Sequence, residues 1–123
     1  MLYTKNANVT TTAESQIVEI PTGYVAHWNM LYVVNLGGST NGATLYVDKW
    51  NASAGDYTTT PNIYILGGGN VSSKEYVLLT DGVFVLQPKD RIIASITAAG
   101  NMEFVITFDL LEAPAVFTEF NGA

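Results

Sequence analysis

The tightest constraint on the fold lies in residues 84 to 112, FVLQPKDRIIASITAAGNMEFVITFDLLE. Met102, Phe104, Ile106, Phe108 and Leu110 fall on alternate positions, with Glu103, Thr107 and Asp109 among the residues between them. A period of two sustained over this length is a half-buried strand with one apolar face. Upstream, Ile92, Ala94 and Ile96 alternate with Ser95 and Thr97, and the link Ala98-Ala99-Gly100-Asn101 has the length and Gly/Asn content of a hairpin turn. The pattern predicts two antiparallel strands presenting their apolar residues in one direction. A hairpin cannot bury such a face alone, so the rest of the chain must supply the opposing layer.

The preceding sequence repeats this logic. Residues 1 to 15 are polar and Thr-rich and read as an arm or a weak edge strand. Gln16 to Ile20 is a short strand with Val18 and Ile20 on one face, ended by the turn Pro21-Thr22-Gly23. From Tyr24 to Val34 the apolar phase changes midway: Tyr24, Ala26, Trp28 and Met30 share one parity, Leu31 and Val33 the other. Either a bulge sits near Asn29 or the later half is covered on both sides. A Gly-rich connection at 35 to 42 leads to a strand carrying Leu45 and Val47, and Ile63 and Ile65 begin another that Gly67-Gly68-Gly69-Asn70 is expected to break. Glu75 to Leu79 and Val83 to Leu86 flank the tight turn Thr80-Asp81-Gly82. About eight strands at intervals of roughly 8 to 12 residues, with turn chemistry at each break, predict an all-β, antiparallel, jelly-roll-like sandwich over 16 to 112. A tail, 113 to 123, follows it.

At 123 residues the chain makes one domain, burying roughly two-thirds of its unfolded surface. Eleven acidic against five basic side chains give a formal charge of -6, the wrong sign for gathering phosphates, so nucleic acid is not an expected partner. The absence of cysteine removes disulfides and thiolate chemistry. No apolar run is long enough to span a membrane as a helix. Residues 1 to 15 lack the apolar centre of a signal peptide, and synthesis in the cytoplasm is expected. Sequons at Asn8, Asn51 and Asn70 are then chance products of an Asn-, Ser- and Thr-rich composition. With charged residues at only 13%, the polar surface is mostly uncharged, which suits contact with other protein.

Catalytic constellations do not assemble. His27, the single histidine, lies in a predicted strand and reads as an ordinary strand residue. Asp48, Asp56, Asp81, Asp90 and Asp109 are scattered rather than spaced as a calcium loop, and neither a metal nor a cofactor is expected. Glu103 and Asp109 share the outward parity of one strand about 20 Å apart, at ~3.4 Å per residue, too far for a glycosidase pair. The glycines at 67 to 69 lack the Lys-Ser/Thr of a phosphate loop. The aromatic residues Trp28, Trp50, Tyr46, Tyr57 and Tyr64 fit three uses: sugar stacking, protein contact and, most simply, sheet packing. Trp50 and Tyr57, with Val116, Phe117 and Phe120 of the tail, are the candidate protein-contact residues.

Four stretches carry a resemblance: Ile20-Pro21-Thr22-Gly23; Trp28 followed by Leu31-Tyr32-Val33-Val34-Asn35; Val85-Leu86-Gln87-Pro88-Lys89-Asp90-Arg91-Ile92-Ile93-Ala94; and Met102 to Phe108 before Glu112. This progression resembles small β-sandwich structural proteins of tailed bacteriophages, in which a P-x-G turn enters a strand ending near Asn and an L-x-P-G-D-x-I-x-A turn-strand leads into the last hairpin. Lys89 stands where that pattern has glycine, which implies a turn that does not demand positive φ there. The resemblance implies a non-enzymatic virion component, foremost a head decoration or cement protein on the capsid exterior. Such a protein binds the major capsid protein or other virion subunits, often as a trimer. Neck, tail and fibre proteins share the pattern, and a carbohydrate-binding module for host recognition is the alternative from another class.

Overall fold

The computed structural model describes residues 2–57, 63–80 and 85–112. Within them the chain forms β1 (Leu2–Val9), β2 (Ser15–Glu19), β3 (Tyr24–Asn35), β4 (Asn41–Asp48), β5 (Trp50–Asn51), β6 (Asp56–Tyr57), β7 (Ile63–Val71), β8 (Tyr76–Thr80), β9 (Val85–Leu86), β10 (Arg91–Ile96) and β11 (Met102–Glu112). One sheet runs β1-β11-β3-β8, with β9 also against β3; the other runs β2-β10-β4-β7; β5 and β6 form a separate hairpin. Every pairing is antiparallel. β1 to β4 alternate between the two layers and so do β9 to β11, in the jelly-roll-like winding that the sequence leads one to expect, whereas β4 and β7 share one sheet and β8 and β9 the other. Because β8 and β9 lie one after the other along β3, the two sheets present eight rows of strand.

The C-terminal strands β10 and β11 do not form the expected hairpin. β10 pairs with β2 and β4, whereas β11 pairs with β1 and β3, so the two sit in opposite sheets. Their apolar residues face each other across the core rather than pointing the same way. The link between them is held from both sides: Asn41 bonds to Ala98, Gly100 N–H donates to Thr10 O and Leu36 N–H to Asn101 O. Alternation states that a strand has an apolar side, but not which layer receives it.

The phase change in β3 is a bulge at Asn29. Thr107 lies opposite Met30 and Phe108 opposite Trp28, which leaves Asn29 as the extra residue. It allows Ala26 and Trp28 on one side of it, and Leu31 and Val33 on the other, all to point inward and be buried. The glycines at 67 to 69, by contrast, do not break a strand. β7 continues through them with two register shifts against β4, and Gly68 takes the left-handed φ of 77 that a bulge can require.

Leu31, Val33, Phe104 and Ile106 of the five-stranded sheet pack in one cluster with Val18, Leu45, Val47 and Ile92 of the other. Each such side chain contributes about 1.5–3 kcal/mol on full burial. At one end of the sandwich, buried Asn35 donates to the carbonyls of Ser39 (2.8 Å) and Val71 (2.9 Å) and accepts from Gly37 N–H (2.9 Å). Its neighbour Asn41 donates to Ala98 O and accepts from Gly42 and Ala98 N–H. These amides supply polar partners where the ladders stop. The N-terminal residues form β1, which pairs with β11 along its whole length. The tail from 113 onward lies outside the described residues.

Candidate interaction surface

At the opposite end of the sandwich, the chain leaves β4 at Asp48 and turns into the β5–β6 hairpin. Asn51 closes it: its side-chain Oδ1 accepts from Ser53 N–H (3.1 Å) and Ala54 N–H (3.2 Å), and its carbonyl accepts from Gly55 N–H (2.9 Å). Gly55 has φ 66, which glycine adopts without side-chain conflict. The hairpin sets Trp50 against Tyr57 edge to face, ring centres 5.0 Å apart. Edge-to-face contact is a favoured geometry for aromatic pairs. The structure thus brings together the two candidate residues that lie in the described region, while Val116, Phe117 and Phe120 lie outside it.

Asp90 anchors the hairpin. It is 0% exposed, and its carboxylate accepts from Trp50 N–H (2.9 Å), Gln87 N–H (2.9 Å) and the Lys49 ammonium (2.6 Å). Backbone bonds from Ile20 N–H to Asp90 O and from Lys89 N–H to Ile20 O tie the end of β2 to the same point. A buried carboxylate requires such compensation for the water it loses. Asp90 N–H also donates to Gln87 O, closing a turn with Pro88 second and Lys89 third. Lys89 has φ 68. The expectation of a turn free of positive φ is therefore wrong: this is a type II geometry that normally selects glycine at its third position. Lysine is held there with its ammonium 4.3 Å from the Trp50 ring centre.

Arg91 follows on the outward face of β10. Its guanidinium pairs with Asp48 on β4 (2.7 and 2.8 Å) and lies 3.8 Å from the Tyr57 ring centre. Burial opposes the charge, but the hydrogen bond and attraction of Asp48 outweigh it, and the Arg91 pKa is raised. Tyr57 donates to Glu19 on β2 (3.0 Å). Burial, that hydrogen bond and the charge of Glu19 push the phenol up to about 12, with Arg91 pulling the other way. Tyr46, whose hydroxyl donates to Glu14, is raised by burial first and then by that bond. It packs at 5.7 Å against Tyr64 of β7. Four of the five aromatic residues singled out in the sequence thus lie around the four-stranded sheet, whereas Trp28 is buried in the core and belongs to no outer platform.

A second surface was less visible in the sequence. On the outer face of the five-stranded sheet, Tyr76 (58% exposed) and Leu78 (47%) lie beside Tyr32, whose ring is 5.6 Å from that of Tyr76, while Val85 (47%) lies farther along β3, opposite His27. Val77 and Leu79 occupy the inward positions between them. The signal was the run Tyr76-Val77-Leu78-Leu79, apolar at both parities in an edge strand. The outward residues of this sheet include Glu103, Asp109 and His27 but, among the described residues, no lysine or arginine.

No protein-family model matches the sequence, and no curated protein matches it either. Solved structures do. A chain in the acidic stable capsid structure of Helicobacter pylori bacteriophage KHP30 is similar at 11% identity and TM-score 0.58, over 92% of this chain and 93% of that one. PirA is similar at 15% identity and TM-score 0.50, over 87% of this chain and 94% of PirA. What is shared at these identities is the fold, end to end, with a phage capsid chain and with PirA.

Proposed function

We propose that this chain is a non-enzymatic structural protein of a virion: a decoration or cement subunit on the capsid exterior, binding the major capsid protein and associating with copies of itself as a trimer. The observation that carries the reading is the nearly complete mutual coverage with a chain of a phage capsid. The acidic balance agrees, since a charge of -6 keeps such a protein off packaged DNA.

The apolar face at Tyr32, Tyr76 and Leu78 is the kind of surface that assembly buries. A second copy is the occupant this reading assigns to it, because the centre of the patch is uncharged and like copies meet there without opposing like charges. Trp50 and Tyr57, together with Val116, Phe117 and Phe120, are then left for the lattice. Synthesis in the host bacterial cytoplasm precedes assembly in this reading.

Light scattering on the purified chain and electron microscopy of whole particles test it. The expected result is a trimer that Leu78→Asp converts to a folded monomer, and density for the protein on the outer capsid lattice. A chain that is monomeric at every concentration and missing from the particle shell overturns the reading.

A further inference from the structure

Three glycines in the middle of β7 are costly, because glycine loses more backbone freedom on folding than any other residue and offers a strand no side chain to pack. Gly68 is explained by its φ of 77, and a Cβ on Gly69 would crowd the Leu66 side chain at 3.2 Å. Gly67 is explained by neither. Its φ is not positive, and a Cβ built on it meets nothing within 4 Å. The fold would accept a side chain at this position. Glycine inside a strand marks a bulge or a place where a ligand or another backbone comes close, and Gly67, beside the Gly68 bulge, leaves its outward side open for such an approach.

Gly67 lies opposite Thr44 on the outer side of the four-stranded sheet, one register pair beyond Leu45 and Leu66 from the Tyr46–Tyr64 pair. Thr44, Tyr64, Gly67 and Gly68 line an open concavity of about 560 Å³ there. It is shallow and open to solvent rather than an enclosed cleft. Tyr64 forms its aromatic wall at 60% exposure and is steadied from behind by Tyr46, which Glu14 holds through its hydroxyl. The floor is bare glycine backbone, and the Thr44 hydroxyl stands 3.8 Å from where a Gly68 Cβ would be.

A flat aromatic face, glycine backbone bare of side chains and a hydroxyl within one shallow hollow match a ligand that is thin, apolar on one side and rich in hydroxyls at its rim. We propose that this hollow is a sugar subsite in which a pyranose ring lies with its C–H face on Tyr64 and its hydroxyls on the Thr44 side chain and the Gly67–Gly68 backbone. An added peptide strand fits less well, since strand addition uses the free edge of β7 and not the face on which Thr44 and Gly67 sit. The proposal is independent of the virion reading.

Titrating the isotopically labelled full chain with methyl β-glucopyranoside, N-acetylglucosamine and their linear trisaccharides, followed by amide NMR, tests it. Saturable shifts are expected at Thr44, Gly67 and Gly68, with at least about tenfold weaker binding in Tyr64→Ala. Gly67→Leu is expected to abolish the shifts while leaving the melting transition in place, because its side chain enters open space. Much tighter binding of trisaccharide than monosaccharide identifies a glycan chain as the source, and equal binding a free sugar. The absence of saturable shifts at these residues with any of the four sugars, or undiminished binding by folded Gly67→Leu, overturns the proposal. So does a Gly67→Leu variant whose only change is in self-association or particle attachment.

Discussion

The ammonium of Lys89 lies 4.3 Å from the centre of the Trp50 ring while the lysine backbone sits at φ 68, in the glycine position of its turn. An unfavourable backbone and a favourable cation–ring contact are therefore coupled in one residue. Left-handed conformation in a non-glycine residue costs on the order of 1 kcal/mol or more, and an exposed cation–π contact returns about 0.5–1 kcal/mol. Lys89→Ala keeps the strain and loses the contact, so it is expected to destabilise by about 0.5–1 kcal/mol. Lys89→Gly loses both and should be more stable than the alanine variant by about 1 kcal/mol in urea denaturation. Equal stability of the two variants would show that the turn is unstrained.

Asp90→Ala removes a wholly buried carboxylate and leaves the N–H groups of Trp50 and Gln87 and the Lys49 ammonium without their acceptor. The expected loss is about 3 kcal/mol, from breaking a buried pair and orphaning two donors. Because Trp50 is one of the donors, its fluorescence should change in the folded variant. A loss under about 1 kcal/mol would show that Asp90 is not the anchor.

Gly42→Ala places a Cβ 2.3 Å from Thr97 Oγ1 and 3.2 Å from Gly68 O. Overpacking of this kind costs about 1–3 kcal/mol. Since Thr97 is exposed, Thr97→Ala alone should be nearly neutral, and the same Gly42→Ala change made in the Thr97→Ala background should cost measurably less. Additive losses would place the strain on the β7 backbone instead.

Alkaline pH tests the Tyr57–Glu19 bond. The Tyr57 phenol ionises near 12 in the folded chain against an ordinary 10, so its contribution to stability is complete below pH 10 and lost as pH rises through 12. Ultraviolet titration should show Tyr57 and Tyr46 lagging the more exposed tyrosines, Tyr46 being raised as well. Glu19→Gln removes the charge that adds to the Tyr57 shift, and should let that phenol ionise earlier. A titration in which all seven tyrosines ionise together near pH 10 would be evidence against both bonds.

The all-β class, most strand positions and the phase change near Asn29 were legible because period-two alternation and turn residues are local properties of the sequence, though the bulge was one of two explanations that the phase change allowed. The partner of each strand was not. Ile92, Ala94 and Ile96 signal an inward face, yet nothing in them states that β11 lies across the core rather than alongside. The same limit explains the site. Trp50 and Tyr57 could be singled out for their chemistry, but Arg91, Asp48 and Glu19 join them only through the register of β2, β10 and β4. Lys89 was misread because its compensation, the Trp50 ring, is distant in sequence.

The placement of β10 and β11 also governs how the chain can acquire its shape. β1 is joined to its sheet through β11 and β2 to its sheet through β10, so the first two strands made have no ladder neighbour among the described strands until the last two emerge. Ribosome-bound intermediates must therefore carry Val9, Ile17 and Val18 in search of cover. Closure has to be late, nonlocal and slow relative to helical domains of this size. Nascent chains halted before residue 91 should be protease-sensitive throughout, and protection should arrive in one step once residue 112 has cleared the exit tunnel.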